Sequence, residues 1–216
     1  MRALEQLTLR ARRLVDADGG RGILGISGPP GAGKSALTEQ LLAQLRAEPP
    51  LGLGPDAVAH VPMDGFHLAD AQLDRLGLRH RKGAPETFDA HGYLAMLRRI
   101  RAETGHPVYA PGFERDLEQP IAAALVVPAA ARLVVTEGNY LLLPDRPWSE
   151  VRQLLDEVWY VELDREIRLE RLVARHVRFG KSPAEAREWV LRSDEANARL
   201  IEAHRDRADL VVTLDD

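Results

Sequence analysis

Apolar residues recur along the chain with two spacings, and the switch between them outlines the elements. From Met1 to Asp18, Leu4, Leu7, Ala11, Leu14 and Val15 fall at helical spacing, predicting an amphipathic helix ended by Gly19-Gly20. Ile23-Leu24-Gly25-Ile26 is a short apolar stretch leading into Gly28-Pro29-Pro30-Gly31, the pattern of a buried strand entering a tight loop. Lys34 to Ala47 turns helical, with Leu37, Leu41, Leu42 and Leu45 on one face and Pro49-Pro50 as the stop. A second strand is predicted over Ala57 to Met63. An irregular polar segment from Asp64 to Ala90 follows, then a helix around Tyr93 to Glu103 and another irregular stretch. Arg132 to Thr136 and Val158 to Leu163 carry strand signals. Helical patterns then cover Arg165 to Phe179 and Pro183 to His204. The second opens on Ser182-Pro183-Ala184-Glu185, a capping box with proline at the first helical position. Asp209 to Leu214 reads as a closing strand. Strands alternating with helices, with no repeat or linker between them, predict one α/β domain over residues 1–216 with a mostly parallel sheet.

Composition narrows the class. A chain of 216 residues with 45% hydrophobic and 29% charged positions is globular. No apolar run approaches the ~20 residues that span a bilayer, and the N-terminus is charged rather than signal-like, so a cytoplasmic protein with no membrane partner is expected. The absence of cysteine excludes disulfides, Cys-based zinc sites, iron–sulfur clusters and thiol catalysis. A net charge of −4 argues against a nucleic-acid partner. Only three lysines, Lys34, Lys82 and Lys181, stand against twenty-six arginines.

One of those lysines completes a motif. Gly28-Pro29-Pro30-Gly31-Ala32-Gly33-Lys34-Ser35 matches G-x-x-x-x-G-K-[ST], the P-loop, between a predicted strand and a predicted helix. Its glycines let the loop from Gly28 through Ala36 turn its available backbone N–H groups toward phosphate oxygens at a helix N-terminus, Pro29 and Pro30 donating none. Lys34 would reach the β- and γ-phosphates, and the Ser35 hydroxyl would ligate Mg²⁺. A guanine-specific switch would add Asn-Lys-x-Asp, and neither remaining lysine sits in that pattern. A mechanical ATPase would show an apolar strand ending in Asp-Glu, whereas Leu133-Val134-Val135 ends in Thr136-Glu137-Gly138. Asp64 closes the second strand on the ligand-binding edge of an open sheet. It fits either an ordinary turn aspartate before Gly65 or a group that accepts a hydroxyl proton or helps hold Mg²⁺.

The P-loop is followed by Met63-Asp64-Gly65-Phe66-His67, Arg81-Lys82-Gly83-Ala84-Pro85-Glu86-Thr87-Phe88-Asp89 and Thr136-Glu137-Gly138-Asn139-Tyr140-Leu141-Leu142. In that order, from Gly22 to Leu214, the chain resembles the phosphoribulokinase/uridine kinase/type I pantothenate kinase family. It is most similar to the nucleoside/nucleotide kinase-like branch that includes fructose transport system kinases. The resemblance implies a P-loop NTPase fold, a three-layer α/β/α sandwich with a helical lid at about residues 165–185. It also implies an acceptor-binding region at about residues 65–120. The activity implied is transfer of the γ-phosphate of ATP, with Mg²⁺, to a hydroxyl of a small metabolite such as a nucleoside, pantothenate or sugar. Asp64 matches the family's general base and Glu137 the acidic residue near Mg²⁺. Lys82 lies in a segment similar to one bordering the acceptor pocket of pantothenate kinases. Tyr109, Phe113 and Arg115 align with an acceptor-lining stretch of uridine kinases, and Asn139 and Tyr140 complete the set. Two other readings remain open: a regulatory P-loop ATPase with no small acceptor, and a nucleoside monophosphate kinase.

Arg168, Arg171, Arg175 and Arg178 share one helical face, which is either a solvated face or the lid. The resemblance favours Arg171 and Arg175 as lid residues that meet the transferring phosphoryl group, where a planar guanidinium suits spread charge. His67, three residues after Asp64, either faces the acceptor or is a polar loop residue. No histidine pair has a zinc-ligand spacing. Arg205 and Arg207 resemble a stretch near the adenine site of pantothenate kinases.

Overall fold

The computed structural model describes residues 2–15, 20–50 and 52–214. The predicted first helix spans Arg2–Arg12 (α1). Residues 16–19, including Gly19 of the predicted stop, lie outside the described residues. Strand β1 (Gly22–Ser27) is buried at every position and leads through the loop into α2 (Lys34–Ala47). The second strand is shorter than predicted, Val58–His60 (β2), because the chain tightens into a 3₁₀ turn at Met63–Phe66.

Two stretches predicted irregular are ordered. Residues 64–90 contain α3 (Asp70–Leu76). After α4 (Ala90–Ala102), the chain forms a hairpin of β3 (Val108–Glu114) and β4 (Gln119–Val127). Burial alternates along β3, but its inward positions include Ala110 and Gly112 beside Pro111, so the residue types do not show it, and Ile121 to Ala124 of β4 are all exposed. Backbone pairing holds the hairpin instead, with a bulge between Ala110 and Gly112.

β5 (Leu133–Glu137), α5 (Trp148–Gln153), β6 (Glu157–Glu162) and α6 (Arg165–Arg178) follow. The long second helical pattern is α7 (Pro183–Trp189), a π-helical turn at Val190–Asp194, and α8 (Glu195–Glu202), with the Ser182/Glu185 capping box formed. β7 (Leu210–Thr213) closes the chain.

The five-stranded sheet runs β2-β5-β1-β6-β7 and is parallel throughout. One face carries Leu37, Leu41 and Leu45 of α2 with Ala11 of α1. The other carries Tyr93, Leu94 and Leu97 of α4, Val151 of α5 and Ile201 of α8. This is the expected three-layer α/β/α P-loop fold. Among the described residues, no helix is long and apolar enough to cross a membrane. Trp148 and Trp159 are core residues; Trp189 is partly buried on α7.

Candidate active site

The strand order decides which residues meet. Because β5 lies between β2 and β1, the carboxyl ends of these strands place Asp64, Glu137 and the P-loop side by side on one edge of the sheet. The loop adopts its expected form, with Gly31 and Gly33 at φ 79° and 94°, where a side chain would be strained. Pro29, Pro30 and Ala32 are buried beneath it, while Ser35 and Ala36 open α2 at the surface. The Lys34 ammonium donates to the carbonyls of Gly28 at 2.8 Å and Pro29 at 3.0 Å. Burial pulls its pKa down to about 8, against the opposing pull of Glu137 and Asp64.

Glu137 ends β5 with its Oε2 buried and without a hydrogen-bond partner. Its Oε1 lies 3.7 Å from His60 Nε2, and Ser35's hydroxyl is within hydrogen-bonding reach of the carboxylate. Burial raises the Glu137 pKa and the Asp64 charge adds to this, which outweighs Lys34. Burial likewise holds the His60 pKa down at about 4, so this imidazole stays neutral. An orphaned carboxylate oxygen beside a serine hydroxyl and a second carboxylate fits a small, hard cation completed by phosphate oxygens and water. Among the described residues no three His, Asp or Glu side chains gather at one point, as an all-protein metal cage would require.

Asp64 is positioned from below. Thr136 Oγ1 donates to the carbonyl of Val61 at 2.6 Å, and Tyr93 hydrogen-bonds the same hydroxyl, tying β5 to the chain just before Asp64. Gly138 completes the fit, since a Cβ there would stand 2.6 Å from Met63 Cβ. Arg115 pairs with Asp64 Oδ2 at 2.8 Å. Burial raises the Asp64 pKa, but His67, Arg115 and Lys34 together overcome it and keep the carboxyl below its ordinary value.

His67 turns its Nδ1 to the Asp64 carbonyl at 2.8 Å and packs between Phe88 and Phe113, with ring centroids at 4.0 and 4.8 Å. Burial lowers its pKa. Phe113 lies under both Arg115 and Lys82, 5.2 and 5.8 Å from its ring centre. Lys82 is a clamp, bonded to Asp70 at 2.8 Å and to the Glu118 carbonyl at the hairpin turn. The structure therefore gathers Asp64, His67, Lys82, Phe113 and Arg115.

Two expected acceptor residues fall elsewhere. Tyr109 is 58% exposed and pairs with Val126 on the hairpin, four residues before Phe113. Tyr140 is fully buried among Phe88 and Trp148, and its hydroxyl donates to the Gly83 carbonyl, so it supports the loop at residues 79–87 from within the core. Asn139 meets that hydroxyl and accepts from Ser27 Oγ at 3.3 Å through its own carbonyl.

The arginine face of α6 lies against the P-loop. Arg171 Nη1 is 3.9 Å from the position of a Cβ on Gly33, and Arg175 is close enough to depress the Lys34 pKa. Arg178 is exposed. Arg168, spaced as if on the same solvated face, is 1% exposed and bonds Glu195. Helical spacing gave the face but not its depth. Arg205 is spent on Glu162, at 2.9 Å and 3.2 Å.

A family model described as the phosphoribulokinase/uridine kinase family matches residues 23–214. A candidate uridine kinase of Schizosaccharomyces pombe is 33% identical over 198 residues, 89% of this chain and 83% of that protein. The Escherichia coli K12 protein YggC is 35% identical over 196 residues, 90% of this chain and 78% of its own length. The crystal structure of a candidate fructose transport system kinase from Silicibacter sp. TM1040 superposes with a TM-score of 0.86 at 36% identity, covering 97% of this chain and 98% of that one.

Proposed function

From the premise that the chain belongs to the phosphoribulokinase/uridine kinase family of P-loop kinases, we propose that it transfers the γ-phosphoryl group of ATP to a hydroxyl of a small metabolite. The observation that carries this is the row of Asp64, Glu137 and P-loop across β2, β5 and β1, with Asp64 beside the aromatic and cationic cluster of His67, Phe113, Arg115 and Lys82. The acceptor region is residues 65–120, and the lid is residues 165–185.

Asp64 is the general base. Arg115 occupies its Oδ2, which leaves Oδ1 to take the acceptor proton as the acceptor oxygen bonds to the γ-phosphorus. The bond from phosphorus to the β,γ-bridging oxygen breaks, and ADP leaves. Backbone amides of the P-loop and Lys34, released from its own carbonyls, carry the developing charge, with Arg171 and Arg175 closing from α6. Ser35 and Glu137 would hold Mg²⁺, with the Asp64 charge beside it, and the ion would neutralise charge on the β- and γ-phosphate oxygens. His67, Phe113, Arg115 and Lys82 shape the acceptor pocket.

The names of the relatives make uridine and fructose the first acceptors to try, with pantothenate and further nucleosides and sugars beside them. ATP turnover stimulated by one of them is the expected result. A panel in which none accelerates ADP release would overturn the reading in favour of an acceptor-free ATPase. With the acceptor identified, Asp64→Asn should bind nucleotide as wild type and lose about 10²–10⁴-fold in kcat. Undiminished transfer would remove Asp64 from its role.

A further inference from the structure

Three polar residues at the junction of the π turn and α8 are buried, with Asp194 8%, Glu195 4% and Asn197 9% exposed. None takes part in the chemistry above. Burying polar groups is costly unless they are partnered, and π turns concentrate at functional positions. Each partner belongs to a different part of the site. Asp194 meets His176 Nε2, in the last turn of α6, at 2.8 Å. Glu195 takes Arg165 at 2.8 Å and the buried Arg168, both in the first turns of α6. Asn197 Nδ2 donates to the Gly83 carbonyl at 3.4 Å, in the loop that carries Lys82.

The two ends of this junction touch the two halves of the site. On the nucleotide side, α6 packs directly on the P-loop, for a Cβ at Gly31 would stand 2.8 Å from Leu172 Cγ and 3.1 Å from the Arg168 carbonyl. Arg168 keeps its Nη1 buried and unpartnered, and its charge reaches Lys34. On the acceptor side, the Gly83 carbonyl already takes the Tyr140 hydroxyl from below. The Asn197 contact is at the long limit of a hydrogen bond, so a small shift of α8 toward the loop strengthens it steeply.

We propose that Asp194, Glu195 and Asn197 are positioning residues that couple nucleotide binding under α6 to the acceptor loop at residues 79–87. Phosphate at the P-loop draws in α6, Glu195 and Asp194 carry α8 with it, and Asn197 fastens Gly83 and, next to it, Lys82. Acceptor and nucleotide then bind with positive coupling. The inference rests on the kinase reading.

The test uses the full chain with Mg²⁺ and a non-hydrolysable ATP analogue, and needs no acceptor. Amide hydrogen exchange over residues 79–87 is followed with and without the analogue, while calorimetry measures its binding. In the wild type, saturation should slow exchange there by about fivefold. Asn197→Asp, which puts an acceptor oxygen against the Gly83 carbonyl, should abolish that protection and, by reciprocity, weaken analogue binding by no more than about fivefold. If Asn197→Asp does not fold, Glu195→Gln carries the same comparison from the other end of the junction. Binding without protection in the wild type, or protection that survives in the folded variant, would overturn the coupling alone. Failure of the analogue to bind the wild type would overturn the kinase reading and the coupling with it.

Discussion

Replacing Gly31 by alanine tests whether α6 and the P-loop form one unit. Two effects add at this position. The φ of 79° lies in the left-handed region, where a Cβ costs about 1–2 kcal/mol. That Cβ would also stand 2.8 Å from Leu172 Cγ, 3.1 Å from the Arg168 carbonyl and 3.2 Å from Arg168 Cγ, against the ~3.5–4.0 Å of ordinary contact. Overpacking of that kind costs a further ~1–3 kcal/mol. Gly77 provides the control, because its φ is 68° and nothing lies within 4 Å of its Cβ position. The strain alone predicts about 1.5 kcal/mol for Gly77→Ala, and strain plus overlap about 3.5 kcal/mol for Gly31→Ala. For a chain of 216 residues these correspond to melting shifts of about 5 °C and about 10 °C, read by scanning calorimetry. Since the overlap can be relieved only by parting α6 from the loop, Gly31→Ala should also weaken ATP binding by about tenfold or more, while Gly77→Ala leaves it unchanged. Equal melting shifts, or an ATP Kd untouched by Gly31→Ala, would refute the packing argument.

Glu137→Gln should raise the Mg²⁺ concentration needed for half-maximal turnover by about tenfold or more, measured by metal titration at saturating ATP; an unchanged requirement removes Glu137 from the metal site. Tyr140→Phe deletes one bond to Gly83 and should cost about 1 kcal/mol in a denaturant titration with little change in kcat, whereas a large kcat loss would return Tyr140 to the acceptor pocket. Glu195→Gln tests the buried pair by its pH dependence. Burial pushes the Glu195 pKa up, but Arg168 and Arg165 outweigh it and hold the folded value below the ordinary 4.5. Its stabilisation is therefore fully present above about pH 4.5 and lost as pH falls through the folded value. The stability gap between wild type and variant should reach about 1–3 kcal/mol at pH 7 and shrink toward pH 3; a gap independent of pH would show that the charge contributes nothing.

Sequence pattern sufficed where a residue's role is local. The P-loop, the α2 face of Leu37, Leu41 and Leu45, and the Ser182/Glu185 cap follow from spacing and backbone chemistry within a few residues. The parallel α/β class followed from the alternation of elements. The β3–β4 hairpin was hidden because the inward positions of β3 alternate in burial but fall on Ala110 and Gly112 beside Pro111, which carry no apolar alternation, and because Ile121 to Ala124 of β4 are exposed. Arg168 shows the same limit from another side. Its spacing matches that of Arg171 and Arg175, yet α8 covers it and supplies Glu195, which lies 27 residues away.

The sequence by itself determined that a phosphate-binding loop exists, that Lys34 and Ser35 stand in it, and that Glu137 ends a strand, whereas Asp64, expected at a strand end, sits in the 3₁₀ turn that follows β2. Only the tertiary structure decided that β5 inserts between β2 and β1, bringing those strand ends into one row. It also decided that Tyr140 supports the loop from the core while Arg115 and Lys82 gather over Phe113 beside Asp64, and that α8 reaches both α6 and Gly83. The reason is range. Hydrogen bonds and side-chain spacing along one element are written in a few consecutive residues. Strand order and burial depend on contacts between residues far apart in the chain, where loop-closure entropy and packing are settled only by the whole fold.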